Sequence, residues 1–402
     1  MASTAVEVIY RGIFQKTLAG TLVKTLVLAA HKEGKIGTAM SRYGDSPERN
    51  GIPAKQFAVI ADSQDELEES LAKYEPKATD VSICLDDNMC KGIESWSWYG
   101  VQPINALVKP GGLLIITSLR TPDQLLRHIH RRDEPYRIAT VKAEASLGGL
   151  WVYRDDHTDM RILGAVARLA PQVVGLQALV ASLHEKGLAD QPYAGDTEGD
   201  ARAWAPRQAA GLQPIPIGQT KLESMQQAYE AATDRPVAPG EGVEGDRLTF
   251  EKPGWKDMRI GVVVDAPKPG VDASIEVFKK WSTRTKRPVV NFDTCIECDL
   301  CWLHCPDECF VPTPEGVYDV KYESCCGCGV CEEVCPVDRC IVMVDEIEFT
   351  DLESPYLKWK RGEPLVAPAS GGGAKYGAPV GNGNGNGSTG NADGDGNAED
   401  RG

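Results

Sequence analysis

Two twelve-residue runs constrain this chain more than anything else in it. CIECDLCWLHCP (295–306) and CCGCGVCEEVCP (325–336) both read C-x2-C-x2-C-x3-C-P. Three thiolates at two-residue gaps can wrap one cuboidal iron–sulfur cluster from a single loop, and the fourth ligand then comes from the other run. The spacing assigns Cys295, Cys298, Cys301 and Cys335 to one [4Fe–4S] cluster and Cys325, Cys328, Cys331 and Cys305 to a second. Pro306 and Pro336 turn the chain after each fourth ligand. Crossed ligation of this kind makes the two halves fold as one unit, with the clusters forming much of the core.

Structural zinc is the competing use of such cysteines. Zinc takes two C-x2-C pairs around four ligands, and two intact triplets would leave it with surplus thiols. Cys309, Cys326 and Cys340 lie outside the pattern. They read either as reserve ligands or redox thiols, or as small buried residues beside a cluster, a place that suits cysteine. Cys84 and Cys90 stand apart, and the small-buried-residue reading applies to them too. Of 13 cysteines, eleven fall within 295–340 in metal-type spacing. The first 30 residues lack the layout of an export signal. Reduced, metal-binding thiols in the cytoplasm are therefore expected, rather than disulfides.

Charge sharpens the picture. The net charge is −15, which argues against a nucleic-acid partner, since a phosphate backbone calls for a basic surface. Between residues 291 and 360 there are 16 Asp and Glu against 4 Lys and Arg. Negative charge near a cluster disfavours adding an electron and lowers its potential. The first loop carries Glu297 and Asp299 where the second has Gly327 and Gly329. Glycine frees backbone N–H groups to turn toward cluster sulfur, so the first-loop cluster is expected to have the lower potential.

The rest of the chain is an ordinary globular sequence, 42% hydrophobic, with no apolar run near the roughly 18 residues of a membrane span. Residues 1–187 alternate strand and helix patterns. VEVIY (6–10) and QFAVIA (56–61) read as strands, and TLAGTLVKTLVLAAHKEG (17–34) as a helix ending at Gly34. Ser63 caps a second helix with acids in its first turn. DVSICLDD (80–87) and GGLLIITS (111–118) are the continuous apolar runs of strands covered on both faces. Residues 160–187 read as helical with a break at Pro171. The expected fold class is α/β, a largely parallel sheet domain, followed by a two-cluster ferredoxin-like α+β module. Residues 188–258 read as a linker or wrapping segment with one helical island at 221–232. The module occupies 259–368. Residues 369–402, almost all Gly, Asn, Ala, Ser and Asp, form a tail expected to be disordered.

Three polar clusters also invite attention. LLRHIHRRDEPYR (125–137) reads as a solvated helix face or a contact for phosphates or an acidic partner. KKWSTRTKR (279–287), just before the acidic module, reads as an exposed surface or as a clamp for that module or another subunit. Asp86 and Asp87 follow an apolar strand, a position used both by ligand sites and by helix caps.

RPVVNFDTCIECDLCWLHCP, with KPGWKDMRIGVV (252–263) upstream, resembles the ferredoxin-type delta subunit of the 2-oxoacid:acceptor oxidoreductases, the pyruvate:ferredoxin oxidoreductase family. Residues 6–187 resemble the same family's gamma subunit, through the first strand and helix, HKEGKIGTAMSRYGDSPERNGIP (31–53) and VKPGGLLIITS (108–118). One departure stands out. The family's gamma subunit opens on a glycine-rich G-R-G-G-Q-G turn, and the matching stretch here is YRGIFQKT (10–17). Arg11, Gly12 and Gln15 remain, while Ile13, Phe14 and Lys16 bring bulk. Two readings follow for Arg11, Gly12 and Gln15: a coenzyme A contact, or a tight strand-to-helix turn with a structural purpose.

The resemblance implies an enzyme complex that decarboxylates a 2-oxoacid on thiamine diphosphate and Mg, sends electrons out through iron–sulfur clusters and passes the acyl group to coenzyme A. Family members hold thiamine with G-D-G and a later Asn. The one GDG here, at 394–396, has six residues after it. Separate alpha- and beta-type catalytic subunits are therefore implied, with ferredoxin or a flavin subunit that reduces NAD as electron acceptor. The alternative is a dedicated iron–sulfur carrier or adaptor that takes no part in 2-oxoacid turnover.

Overall fold

The computed structural model describes residues 3–42, 53–71, 75–94, 101–143, 157–192, 218–244, 284–349 and 351–365. The first part is organised by β1 (Thr4–Arg11), α1 (Gly12–Lys32), β2 (Ile36–Arg42), β3 (Pro53–Ala61), α2 (Gln64–Leu71) and β4 (Thr79–Cys84). A 3-10 turn (Asp87–Lys91) follows, with the two-residue strands β5 (Ile93–Glu94) and β6 (Val101–Gln102). Then come β7 (Val108–Thr117), α3 (Pro122–Leu126), β8 (Tyr136–Val141), α4 (Thr158–Leu169), α5 (Leu176–Glu185), α6 (Lys221–Ala231) and β9 (Asp234–Val237).

The main sheet has seven strands in the order β2-β3-β1-β4-β7-β8-β9. Its centre, β1-β4-β7-β8, is parallel. The flanks β2-β3 and β9 run antiparallel. Period-two alternation sends Val6, Val8 and Tyr10 of β1 to one face and Ile9 to the other. The first face is covered by α1, whose Leu18, Leu22, Val23, Leu26, Ala29 and Ala30 fall on one helical stripe. Helix α1 ends as the sequence indicates, with Gly34 left-handed at φ 76°. Around Pro171 the helical stretch divides into α4 and α5.

Residues 218–244 wrap the α/β domain. Helix α6 opens on a Thr220–Glu223 capping box and packs against α4 so closely that a Cβ on Gly164 would sit 2.2 Å from the Met225 carbonyl oxygen. Strand β9 then adds the sheet's last edge. The upstream stretch 252–263 and the tail 369–402 lie outside the described residues.

The cysteine module is small. It comprises β10 (Lys286–Val290), α7 (Leu300–Leu303), β11 (Phe310–Pro312), β12 (Tyr318–Val320), α8 (Val330–Val334), β13 (Ile341–Asp345), a 3-10 turn (Glu346–Glu348) and α9 (Pro355–Lys360). Strands β10 and β13 pair antiparallel, as do β11 and β12. The core is Val290, Phe292, Phe310, Val320, Tyr322 and Ile341, with the cysteines themselves packed into it. Tyr356 and Trp359 of α9 close one side against Phe292, at centroid distances of 6.0 and 5.4 Å.

Module and α/β domain meet at the C-terminal ends of β4 and β7. Ile347 is 1% exposed and lies in the second sheet-face core with Met89, Leu125 and Ile129. The Ile347 amide donates to Asn88 Oδ1 at 2.8 Å, and Lys91 Nζ donates to the carbonyls of Glu346 and Phe349. Arg120 bridges Asp87 (2.8 Å) and Glu348. Asp86 caps the turn by accepting from the Asn88 amide at 2.9 Å. The two strand-end acids are thus spent on a cap and on this joint.

Candidate metal centres

Each cysteine run is a loop closed by one turn of helix. The gap between the first and third cysteine forces the backbone through left-handed conformations: Glu297 (φ 56°) and Asp299 (φ 63°) in the first loop, Gly327 (φ 72°) and Gly329 (φ 83°) in the second. The loops therefore share one backbone shape. Glycine is thus not what makes the backbone left-handed, while in the second loop the Gly327 amide does face Cys325 Sγ, at 3.4 Å; the loops also differ in side-chain charge.

The loops line two openings. Cys295, Cys298, Cys301 and Cys335 border the first, of about 400 Å³, together with Tyr318, Cys340 and Ile341. Cys305, Cys325, Cys328 and Cys331 border the second, of about 300 Å³, with Cys309 and Cys326. Each opening thus draws the first three motif cysteines of one run and the fourth motif cysteine of the other. Cys298 and Cys328 sit at the exposed rims, while Cys325 and Cys331 are buried. Among the described residues, no three His, Cys, Asp or Glu side chains close tightly enough to hold a single ion. Four sulfurs spaced around each opening form a soft donor set that fits an iron–sulfur cluster.

The thiols ionise unevenly. Burial pushes Cys301 up to about 12 and raises Cys331 further. A hydrogen bond from Cys309 draws Cys305 down to about 6, and one from Cys326 does the same for Cys328. Thiolate ligation of iron must therefore drive protons off Cys301 and Cys331.

Behind the second loop lies a charge cluster built on the basic run, whose acidic partner, Glu346, sequence reading did not identify. Arg284 and Arg287 are each within 1% of full burial and share Glu346, with Nε–Oε2 distances of 2.7 and 2.8 Å. Arg284 Nη1 also donates to the Cys325 carbonyl at 2.8 Å, and Arg287 stacks 4.1 Å from the Phe349 ring centroid. Burial raises the Glu346 pKa, but the Arg287 hydrogen bond and the Arg284 charge outweigh it and bring it to about 2. The described end of the basic run 279–287 is thus a clamp inside the module. The available signal was that run's position, just ahead of an acidic segment.

The other sequence candidates sit apart from the cysteines. Arg11 is fully buried, 3.3 Å from Asp86. Gln15 accepts from the Arg11 amide at 2.7 Å and donates to the Leu85 carbonyl at 3.4 Å. Gly12 is the first residue of α1. In the 125–137 stretch, helix α3 ends at Leu126. Beyond it, Arg132 donates to the carbonyls of Asn105 and Val108, both at 2.6 Å. Cys84 and Cys90 are buried in the α/β core.

Comparison with known proteins agrees with this geometry. Residues 288–343 match the model of the 4Fe-4S dicluster domain. Pyruvate synthase subunit PorD of Thermotoga maritima is 37% identical over 99 residues, spanning 25% of this chain and 94% of that protein. The chain belongs to the 2-oxoacid:acceptor oxidoreductase family. A second family relative is the delta subunit of NADH-dependent phenylglyoxylate dehydrogenase from Aromatoleum evansii, 43% identical over 56 residues, or 14% of this chain and 59% of that one. Pyruvate oxidoreductase subunit PORC of Thermotoga maritima aligns in structure over 58% of this chain and 99% of its own, at 15% identity and a TM-score of 0.35, too loose a superposition to carry weight. No described helix is long and apolar enough to cross a membrane.

Proposed function

We propose that this chain is the electron-transfer and structural subunit, with gamma- and delta-type parts fused, of a thiamine diphosphate-dependent 2-oxoacid:acceptor oxidoreductase in the cytoplasm. Cys295, Cys298, Cys301 and Cys335 hold one [4Fe–4S] cluster, and Cys325, Cys328, Cys331 and Cys305 hold the other. The observation that carries this reading is the pair of openings, each walled by the first three motif cysteines of one run and the fourth of its neighbour. Residues 1–187, with the wrapping segment, form the gamma-type part that docks the catalytic subunits. Residues 259–368 form the delta-type relay.

Alpha- and beta-type partners hold thiamine diphosphate and Mg and carry out the decarboxylation. Electrons leave through the two clusters to ferredoxin or to a flavin subunit that reduces NAD. Arg11 and Gln15 hold the first strand-to-helix turn, and any coenzyme A is bound elsewhere in the complex. Relatives named for pyruvate and phenylglyoxylate set the substrate panel, together with 2-oxoglutarate and oxalate.

The test is anaerobic purification of the tagged chain from its own cell. Two clusters per chain, thiamine-binding partners at fixed stoichiometry and 2-oxoacid oxidation by the complex are expected, assayed with and without coenzyme A. Zinc in place of iron would end the cluster assignment. A cluster-loaded monomer with no thiamine-binding partner would end the reading as an enzyme subunit and leave a dedicated carrier.

A further inference from the structure

Each opening contains more cysteine than a four-thiolate cluster uses. In the second, Cys309 is 2% exposed, and its Sγ lies 3.2 Å from Cys305 Sγ. Its thiol also hydrogen-bonds to Cys325. Its backbone is fixed from two sides: the Cys309 amide faces Cys305 Sγ at 3.4 Å, and its carbonyl accepts from the Lys321 amide at 2.8 Å. The first opening has a counterpart in Cys340, whose thiol points to a backbone oxygen, Asn291 O, at 3.6 Å and hydrogen-bonds to one ligand, Cys335. A small residue merely filling space could be valine or alanine. Cys309 instead presents sulfur to two ligand sulfurs at the wall of the opening.

Resting on the two-cluster reading above, we propose that Cys309 is a reserve iron ligand for the second cluster, positioned to replace Cys305. Cys305 is the fourth ligand of that cluster, supplied by the neighbouring loop, and Cys309 stands four residues after it on the same side, so loss of the Cys305–iron bond leaves a second thiol within reach. When that bond is lost, Cys309 releases its proton to solvent and its thiolate binds the vacated iron. One thiolate replaces another, so the cluster keeps its charge and its four sulfur ligands, and no oxidant or reductant is required. The second cluster thereby keeps its iron after a loss of Cys305 ligation that would otherwise leave one iron without a protein ligand.

The experiment uses the full chain in its complex, purified anaerobically, with iron and sulfide content and the EPR spectrum of the reduced protein as readouts. Cys305→Ala is expected to keep wild-type iron, with the EPR signal of one cluster shifted. Cys309→Ala alone is expected to keep both clusters unchanged. The double variant is expected to lose the second cluster's share of the iron. Cys331→Ala, which removes a ligand that Cys309 does not adjoin, is expected to lose that share with Cys309 intact. If Cys305→Ala loses as much iron as the double variant, the proposal is wrong. If Cys309→Ala alone loses iron, Cys309 is a resident ligand and the reserve role fails. Should Cys305→Ala not accumulate, Cys305→Ser keeps the shape while offering an oxygen; adding Cys309→Ala to it must then change iron content or EPR signal, and no change overturns the proposal. Wild-type protein without two clusters is a different failure, that of the functional reading.

Discussion

The two cysteine loops have the same spacing and the same left-handed backbone, yet they sit in opposite surroundings. The first faces outward. Ile296, Trp302 and Leu303 are 61%, 45% and 64% exposed, and Tyr318 braces the loop by donating to Asp299 Oδ1 at 2.7 Å. Thirty residues on, the positions of Trp302 and Leu303 are taken by Glu332 and Glu333. The second loop is built into the joint. Arg284 grips its Cys325 carbonyl, and a Cβ on Gly327 would lie 2.2 Å from the Lys286 carbonyl oxygen. Cluster binding fixes spacing and backbone handedness, and the neighbours decide the rest. Glycine is required in the second loop because strand β10 presses on it. The first loop has no such wall and tolerates Glu297 and Asp299.

The largest blow to this asymmetry should come from Glu346→Ala. It strands two buried guanidinium groups, a change that costs about 3–5 kcal/mol. Chemical denaturation should show that loss, and iron bound by the second loop should leave before iron bound by the first; simultaneous loss would mean that the clamp serves both loops alike. Gly327→Ala comes next, because it adds a backbone collision to left-handed strain. Gly329→Ala meets nothing within 4 Å and should cost only the left-handed penalty of about 1–2 kcal/mol. Equal effects in thermal unfolding would refute the packing argument.

Acid offers a finer probe. The folded-state pKa of Glu346 is held down from 4.5 to about 2, so its contribution is complete above pH 4.5 and is lost as pH falls toward 2. The stability gap between wild type and Glu346→Gln should therefore be constant at neutral pH and shrink in that acid window; a gap that widened there would reverse the sign of the argument. The smallest expected effect is electrochemical. The first-loop cluster should have the lower potential, and Asp299→Asn should raise that potential while leaving the other cluster unmoved. A site-resolved titration giving the opposite order removes the charge argument.

Much of this was legible in the chain because its signals are local. Three cysteines at two-residue gaps specify a loop by themselves. The apolar runs at 80–87 and 111–118, and the stripe on α1, specify strands and helix in the same way. What stayed hidden depends on distant partners. Nothing near residues 53–61 announces that β3 runs antiparallel to β1, or that β9 returns after a long excursion to finish the sheet. The sharing of Glu346 by Arg284 and Arg287 joins charges about sixty residues apart. The left-handed backbone of the first loop was hidden too, because cluster-loop geometry imposes it on Glu297 and Asp299 as it does on glycine.

Ile347 is wedged into the same apolar layer as Met89 and Leu125, and Lys91 ties down the carbonyls on either side of it. A redox module moored in this way cannot swing on a leash between donor and acceptor. Its wire has a fixed length and a fixed bearing, so an acceptor that collects the electrons would have to come to it.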